Sequence, residues 1–473
     1  MPSVLKKIKL NIDNLQAISN LLSQVVLNGV NFGLIIVFTH FLTTADYGVV
    51  SIYMSYTFFV AVFIGLATQG SIGTALIHWD KREHDKYLSN ILAISFISFV
   101  ACSVISIIFI SPISEFTRLE PFLLIVLLVH SFGIFCFGFA QIKYIYSRTA
   151  QYSLGLALVL SVSMIVLSWI GIKQDWFPEK QYVVRIMSMA IPNMLCAVYV
   201  LVTFFLKQKP FVDFKKSYEF CLPICIPLIF HGLSHIVLSQ TGRVMLQQML
   251  NDNSVVGIYS FIITFSYVLN TIYVAFNNTW VPIFYNYLKA DDIEGIIVRT
   301  KKYNNFYTLL VVGFLMVAPE FIYSLADESY WCGIKLIPIA ATSIYMVFLY
   351  SFAVNYELYH KESKLVAIGT IGAALSNIIF NYLLIPDYGM YGAAIATFIA
   401  YVFLVVFHTV CAKKFIVGVY PYSDLFFIPN LIIVLIASAG FYLFLDYWYL
   451  RWGVAVVDGV VLVRNLYKER KLF

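Results

Sequence analysis

Apolar residues fill most of this chain in blocks of about twenty or more, separated by short polar breaks. A helix needs about 20 mostly apolar residues to cross a bilayer. The blocks at residues 15–41, 47–77, 88–110, 121–142, 151–172, 182–206 and 219–249 meet that length, as do those at 255–284, 303–325, 336–357, 365–386, 390–411 and 425–445. A final, shorter block covers 447–463 after a turn at Asp446. The pattern therefore predicts an all-α polytopic membrane protein of about 14 transmembrane helices. No connection is long enough for a folded domain. The longest are Lys207–Ser217 and Asn286–Lys302, so any chemistry must lie among the helices or at their mouths.

Composition supports the same solvent. Hydrophobic residues make up 61% of the 473 positions and charged residues 12%, where a soluble domain carries roughly 25% charge. A soluble chain of this length would divide into domains with polar surfaces. The net charge of +6 does not indicate nucleic acid, because the basic residues lie in short tracts between apolar blocks. With the N-terminus in the cytoplasm, the cytoplasmic connections and termini collect 24 of the 31 Lys and Arg. The other side keeps Arg118, Lys173, Lys180, Arg185, Arg243, Lys335 and Arg451. This bias predicts an even span count with both termini cytoplasmic. The start, with Lys6, Lys7 and Lys9, leads through a polar stretch to Asn14 and reads as preceding an uncleaved first span. Seven scattered cysteines include Cys221 and Cys225 at helical spacing but no Cys-x-x-Cys pair, so neither a metal nor a redox cofactor is expected.

A weak internal duplication divides the body. Asp46-Tyr47-Gly48-Val49-Val50-Ser51-Ile52-Tyr53 follows the first span, and Val255-Val256-Gly257-Ile258-Tyr259-Ser260-Phe261 follows the seventh. Each leads from a polar turn through glycine into an apolar helix. The expected organisation is an N-terminal lobe at 1–206, a cytoplasmic linker at 207–217, a C-terminal lobe at 218–412, and two additional helices with a tail at 413–473. Repeated halves are a common way to build a transporter with a site between them.

Polar stripes fall on the equivalent helices. Asn20, Gln24, Asn28 and Asn31 share one face of the first span. His231, His235, Ser239 and Arg243 recur every four residues along the seventh. Such groups avoid lipid tails, so the stripes either line a watery cavity or join helices by hydrogen bonds. Arg243 reads either as a snorkelling arginine or as a cavity cation whose forked donors suit a phosphate. Arg185 is a second, more interfacial candidate. Asn377 and Asn381 form another i, i+4 pair, for which interhelical hydrogen bonding is the simpler role. Gly369 with Gly372, and Gly389 with Gly392-Ala393-Ala394, suggest close packing. Pro223 and Pro227 predict a bend or loosening at the start of the seventh span. His130, His231, His235, His360 and His408 could relay protons, but none is paired with a carboxylate at convincing helical spacing. Trp280 and Trp331 are expected at the membrane interface.

The chain resembles the polysaccharide-biosynthesis (O-antigen) flippases of the multidrug/oligosaccharidyl-lipid/polysaccharide exporter superfamily. The likeness is carried by Phe41-Leu42-Thr43-Thr44-Ala45-Asp46-Tyr47-Gly48, Leu222-Pro223-Ile224, Arg243-Val244-Met245-Leu246 and Trp280-Val281-Pro282. Its most specific part runs from Asn377 to Gly389 and on through Gly392-Ala393-Ala394-Ile395-Ala396-Thr397. Relatives often place an acidic residue before the arginine of the seventh span, where this chain has Gly242. The resemblance implies two pseudo-symmetric six-helix lobes around a central cavity, plus two C-terminal helices. It also implies a non-enzymatic flippase of the bacterial inner membrane. Its cargo would be an undecaprenyl-diphosphate-linked oligosaccharide, an O-antigen or capsule (lipopolysaccharide or other polysaccharide) repeat unit, moved to the outer leaflet by alternating access. Membrane lipid, a coupling ion (H+ or Na+) and a polysaccharide polymerase are the partners it implies.

Two other classes stay open. A multidrug or cation antiporter of the same superfamily would need an acidic ion site inside a lobe, whereas Asp and Glu here lie mostly at span ends. A membrane glycosyltransferase, whether polymerase or ligase, would need a large outer loop that the chain lacks. A structural scaffold is disfavoured by the polar stripes.

Overall fold

The structure is a computed structural model that describes residues 19, 22, 23, 25–206 and 211–468. Asn20, Gln24, the basic N-terminus, linker residues 207–210, and Arg470 and Lys471 of the tail lie outside the described residues. Within them, helix is the only regular element besides turns. In chain order the helices are α1 (Val25–Thr39), α2 (Thr44–Gly65), α3 (Ile72–His78), α4 (Lys81–Ile108) and α5 (Ile110–Thr117). They continue with α6 (Pro121–Tyr146), α7 (Ala150–Lys173), α8 (Gln181–Val200), α9 (Phe214–Leu250) and α10 (Asn253–Lys289). The last are α11 (Ile293–Leu325), α12 (Ile337–Tyr359), α13 (Ser363–Lys414), α14 (Ile428–Leu443) and α15 (Trp448–Lys468).

Among the described residues ten helical segments are long and apolar enough to cross a membrane: α2, α4 and α6–α13. Among the described residues every expected span nevertheless overlaps helix. The numbers differ because α13 carries two of them. Its 52 residues would extend roughly 78 Å as one rod, well beyond a ~30 Å hydrocarbon core. Gly389 breaks it with φ 54° and ψ −129°, a conformation that needs glycine. The two arms then lie side by side: a Cβ on Gly369 would come 2.6 Å from the His408 ring, and one on Gly372 would come 2.9 Å from Phe403. Short α1 and α14, and α15 with Arg451, Asp458 and Arg464, account for the remaining difference.

The second expected span is divided. Leu66 and Ala67 take left-handed φ values of 47° and 51°, ending α2 before a 3-10 turn and α3. Trp280, expected at the membrane interface, is buried within the protein. It is 3% exposed, with its ring against Phe284, Tyr303 and Phe352.

The chain forms two compact units. One holds residues up to Leu42 together with Val49–Ile236; the other holds Thr43–Gly48 with Val237–Phe473. The first has an aromatic core in which Phe132, Phe135, Phe139 and Cys136 of α6 pack with Ile91 and Leu92 of α4 and Val200 of α8. His130 of α6 is buried there. Its Nδ1 lies 3.1 Å from the Tyr53 hydroxyl, and its Nε2 lies 3.4 Å from Asn193 Nδ2.

In the second unit the duplicated motifs meet. The Thr43 hydroxyl accepts from the Asp46 amide and donates to its carboxylate, closing the first turn of α2. Asp252 caps α10 by accepting from the amides of Ser254 and Val255. Each capped turn brings its glycine against the other helix. A Cβ on Gly48 would lie 2.0 Å from the Asn253 carbonyl oxygen, and one on Gly257 would lie 1.9 Å from that of Thr44. Only glycine permits that approach.

The terminal helix is locked in the same unit. Arg451 of α15 is 1% exposed and binds both carboxylate oxygens of Glu320 on α11. Its remaining donors go to the carbonyls of Phe444, Leu445 and Met316. The guanidinium fork suits this bidentate pairing.

Candidate functional site

The polar groups of the second unit converge on α9, α10 and the two arms of α13. Arg243 is half-buried on α9. Its Nε donates to Ser260 Oγ at 3.2 Å and its Nη2 to Thr264 Oγ1 at 3.5 Å, both on α10. Its Nη1 donates to Gln240 Oε1 at 2.8 Å and to the Ser239 carbonyl at 3.3 Å. These acceptors are all neutral. No carboxylate pairs with Arg243 among the described residues, so the positive charge is solvated by dipoles but not cancelled.

Tyr259 links this cation to the asparagine pair. Its hydroxyl faces Gly242, where a Cβ would come within 2.8 Å, and Thr397 on the second arm of α13 is a polar neighbour of the same phenol. Asn377 Nδ2 donates to Thr397 Oγ1 at 3.3 Å. Asn381 Nδ2 donates to the Asn377 carbonyl at 2.8 Å and to its Oδ1 at 2.9 Å. Both asparagines are 0% exposed, and Asn377 joins the two arms of α13 while Asn381 braces Asn377 within the first. Gly242 thus has a local reason: the Tyr259 hydroxyl occupies the place where a larger residue would begin.

The remaining sequence candidates sit elsewhere. On α9 the division between units falls after Ile236, so His231 and His235 belong with the first unit and Ser239 and Arg243 with the second. His231 is half-buried and His235 exposed. On α1, Asn28 is exposed and Asn31 half-buried, while Asn20 and Gln24 lie outside the described residues. Arg185 is 5% exposed on α8, with its guanidinium carbon 5.0 Å from the centre of the Phe38 ring. It is therefore packed in the interior of the first unit.

Sequence spacing missed one buried pair. Glu357 of α12 and His408 of α13 are 51 positions apart, beyond any helical periodicity, yet His408 Nδ1 lies 2.8 and 3.0 Å from the two Glu357 oxygens. Among the described residues no group of three or more His, Cys, Asp or Glu could hold a metal ion.

A family model described as "Polysaccharide biosynthesis protein" matches residues 16–288, more than half of the chain. The chain belongs to this family. Solved structures share its fold across nearly the whole length. A lipid II flippase, MurJ, in an inward closed conformation aligns with a TM-score of 0.72 and 16% identity, over 96% of this chain and 99% of its own. An inward-facing multidrug resistance MATE transporter of the MOP superfamily gives 0.60 and 15%, covering 89% of this chain and 96% of its own. A MATE transporter from Vibrio cholerae gives 0.57 and 14%, covering 88% and 98%. At these identities the likeness establishes the fold. No curated protein sequence matches significantly. This member of the polysaccharide biosynthesis family is a multi-pass membrane protein with the MOP-superfamily transporter fold.

Proposed function

We propose that the protein is a flippase for an undecaprenyl-diphosphate-linked oligosaccharide, an O-antigen or capsule unit. It would carry the headgroup from the cytoplasmic to the outer leaflet of the bacterial inner membrane, by alternating access and with both termini cytoplasmic. The observation that carries this reading is the uncancelled charge of Arg243, held by Ser260, Gln240, Thr264 and the Ser239 carbonyl within long apolar helices. An embedded cation without an acidic partner favours an anionic ligand, and a guanidinium can bind diphosphate oxygens through paired donors. A sugar headgroup cannot cross hydrocarbon unaided because its hydroxyls lose their hydrogen bonds to water. Family membership supports a cargo drawn from polysaccharide assembly.

The test is leaflet accumulation of lipid-linked sugar in a deletion strain. Restoring the wild-type gene returns the sugar to the outer leaflet, and Arg243→Ala at equal protein level does not. Full activity of that variant would remove Arg243 as the diphosphate anchor. A second reading, an ion-coupled antiporter of the same superfamily, is favoured by the buried acid Glu357. It predicts export of an organic cation that competes with no lipid-linked sugar.

A further inference from the structure

We propose that a cleft between α10, α11 and α12 is a subsite for the acetamido group of a sugar in the cargo, an inference that rests on the flippase reading above and deepens it. The cleft measures about 230 Å³ with its mouth, and its closed depth admits one small group. Tyr273, Phe276 and Asn277 of α10 form a half-buried rim. Below them Trp280, Tyr303 of α11, and Phe348 and Phe352 of α12 are each at most 4% exposed. All of these belong to the second unit.

A donor without an acceptor sets this cleft apart. The Trp280 indole N–H is buried and meets no acceptor among the described residues. An unmade hydrogen bond at such depth is costly, and a buried indole usually finds a partner. A second set of donors lies at the rim. Asn277 Oδ1 accepts from Asn355 Nδ2 at 2.9 Å, which commits its oxygen and leaves its own Nδ2 to donate.

The walls select the chemistry of the ligand. The lining rings meet edge to face, Tyr273 with Phe348 at 82°, Phe276 with Tyr303 at 62° and Trp280 with Phe352 at 65°, so none of these pairs is stacked flat. Ring faces attract cations, but no carboxylate lines the cleft, and a cation would meet the positive ends of the N–H dipoles. An anion would find no lysine or arginine in the lining. A small neutral group with a hydrogen-bond acceptor and an apolar end suits both features. An acetamido group is of this kind: its carbonyl oxygen would accept from Trp280 Nε1, and its methyl would lie among the rings.

Position on α10 favours the same ligand. Asn270 and Asn277 lie two helical turns apart on one face, and Asn278 beside them is exposed. Such amides are costly against hydrocarbon, so the rim faces water rather than lipid tails. Thr264, which accepts from Arg243, precedes Tyr273 by nine residues and Trp280 by sixteen on this helix. At 1.5 Å per residue the separation is roughly 14–24 Å. A diphosphate at Arg243 and a sugar at the cleft would then belong to one extended headgroup, the sugar being beyond the one joined directly to phosphate.

The experiment uses the full chain in lipid nanodiscs, with the methyl glycosides of N-acetylglucosamine, N-acetylgalactosamine, glucose and galactose as probes. Binding is read by saturation-transfer NMR on the probe protons, with no lipid-linked sugar present. The wild type should bind an N-acetyl glycoside about tenfold more tightly than the parent hexoside, with the strongest transfer to the acetamido methyl. Trp280→Phe keeps a ring and loses the N–H, so most of that preference should vanish. Asn277→Ala, on the rim, should weaken binding and serves if Trp280→Phe does not fold. Arg243→Ala should leave glycoside binding unchanged. The proposal is overturned if the wild type binds neither N-acetyl glycoside saturably, if it binds the hexosides equally well, or if Trp280→Phe retains the full preference. The wild-type comparison decides without either variant. Binding without translocation of lipid-linked sugar removes the flippase reading alone, and translocation without binding removes the cleft alone.

Discussion

Gly48 and Gly257 pack against each other's helix so closely that the place of each missing Cβ is taken by the partner's backbone. The Asn253 carbonyl oxygen lies 2.0 Å from one such position, and the Thr44 carbonyl oxygen lies 1.9 Å from the other. Tyr47 buttresses the crossing, with its ring edge-on to Phe261 at 6.3 Å and to Tyr330 at 5.8 Å. The Tyr330 hydroxyl donates to the Thr43 carbonyl. The duplicated sequence motif is therefore a contact as well as a repeat.

Replacing either glycine with alanine should separate the helices. Because backbone rather than a flexible side chain fills the space, we expect a loss of about 3 kcal/mol or more for each. Thermal unfolding in detergent would show both variants with lowered Tm. Gly155→Ala on α7, where nothing lies within 4 Å, is the control and should be neutral or slightly stabilising.

A similar test applies at Gly242. Gly242→Ala would drive a Cβ to 2.8 Å from the Tyr259 hydroxyl. Tyr259→Phe removes the obstructing oxygen, so the double variant should be more stable than the sum of the single effects predicts. A double-mutant cycle measured by thermal unfolding should give a coupling of about 0.5–3 kcal/mol. Strict additivity would mean that Tyr259 does not determine the residue at 242.

Arg243→Lys keeps the charge but loses the planar fork. The ammonium has three donors, whereas the guanidinium now serves Ser260, Thr264, Gln240 and the Ser239 carbonyl. Translocation of lipid-linked sugar should fall at least several-fold, to a level above that of Arg243→Ala. Equal activity of the lysine variant would show that charge alone suffices.

Breaking the Arg451–Glu320 pair should loosen α15. Arg451 is buried but Glu320 keeps 26% of its side-chain exposure, so removing Arg451 leaves a part-solvated carboxylate and should cost less than the roughly 3–5 kcal/mol of a fully buried pair. Arg451→Met should therefore expose the terminal helix to limited proteolysis. Glu320→Leu added to it should restore much of the protection, because replacing both charges by apolar groups leaves none uncompensated.

Much of this molecule was legible from local pattern. Hydrophobic block length located the helices because a bilayer imposes it on every spanning segment, whereas Gly389, read from the sequence as a close-packing position, turned out to be the backbone break within α13. The polar residues on α9, α10 and α13 were visible individually, but their partnership was not. Arg243 reaches Ser260 and Thr264 on another helix, and Asn377 reaches Thr397 across the break in α13. The packing of Trp280 was hidden for a related reason. An indole suits both the membrane interface and an aromatic core, and only its neighbours distinguish the two.

By itself the sequence determined the solvent, the helices and the family, since each depends on runs of residues close together in the chain. Tertiary structure decided which helices meet. It left Arg243 among neutral acceptors, set Gly48 against Gly257, and brought Glu357 to His408 on another helix. A buried charge acquires its meaning from the groups that surround it, and α12 and the second arm of α13 become neighbours only after folding.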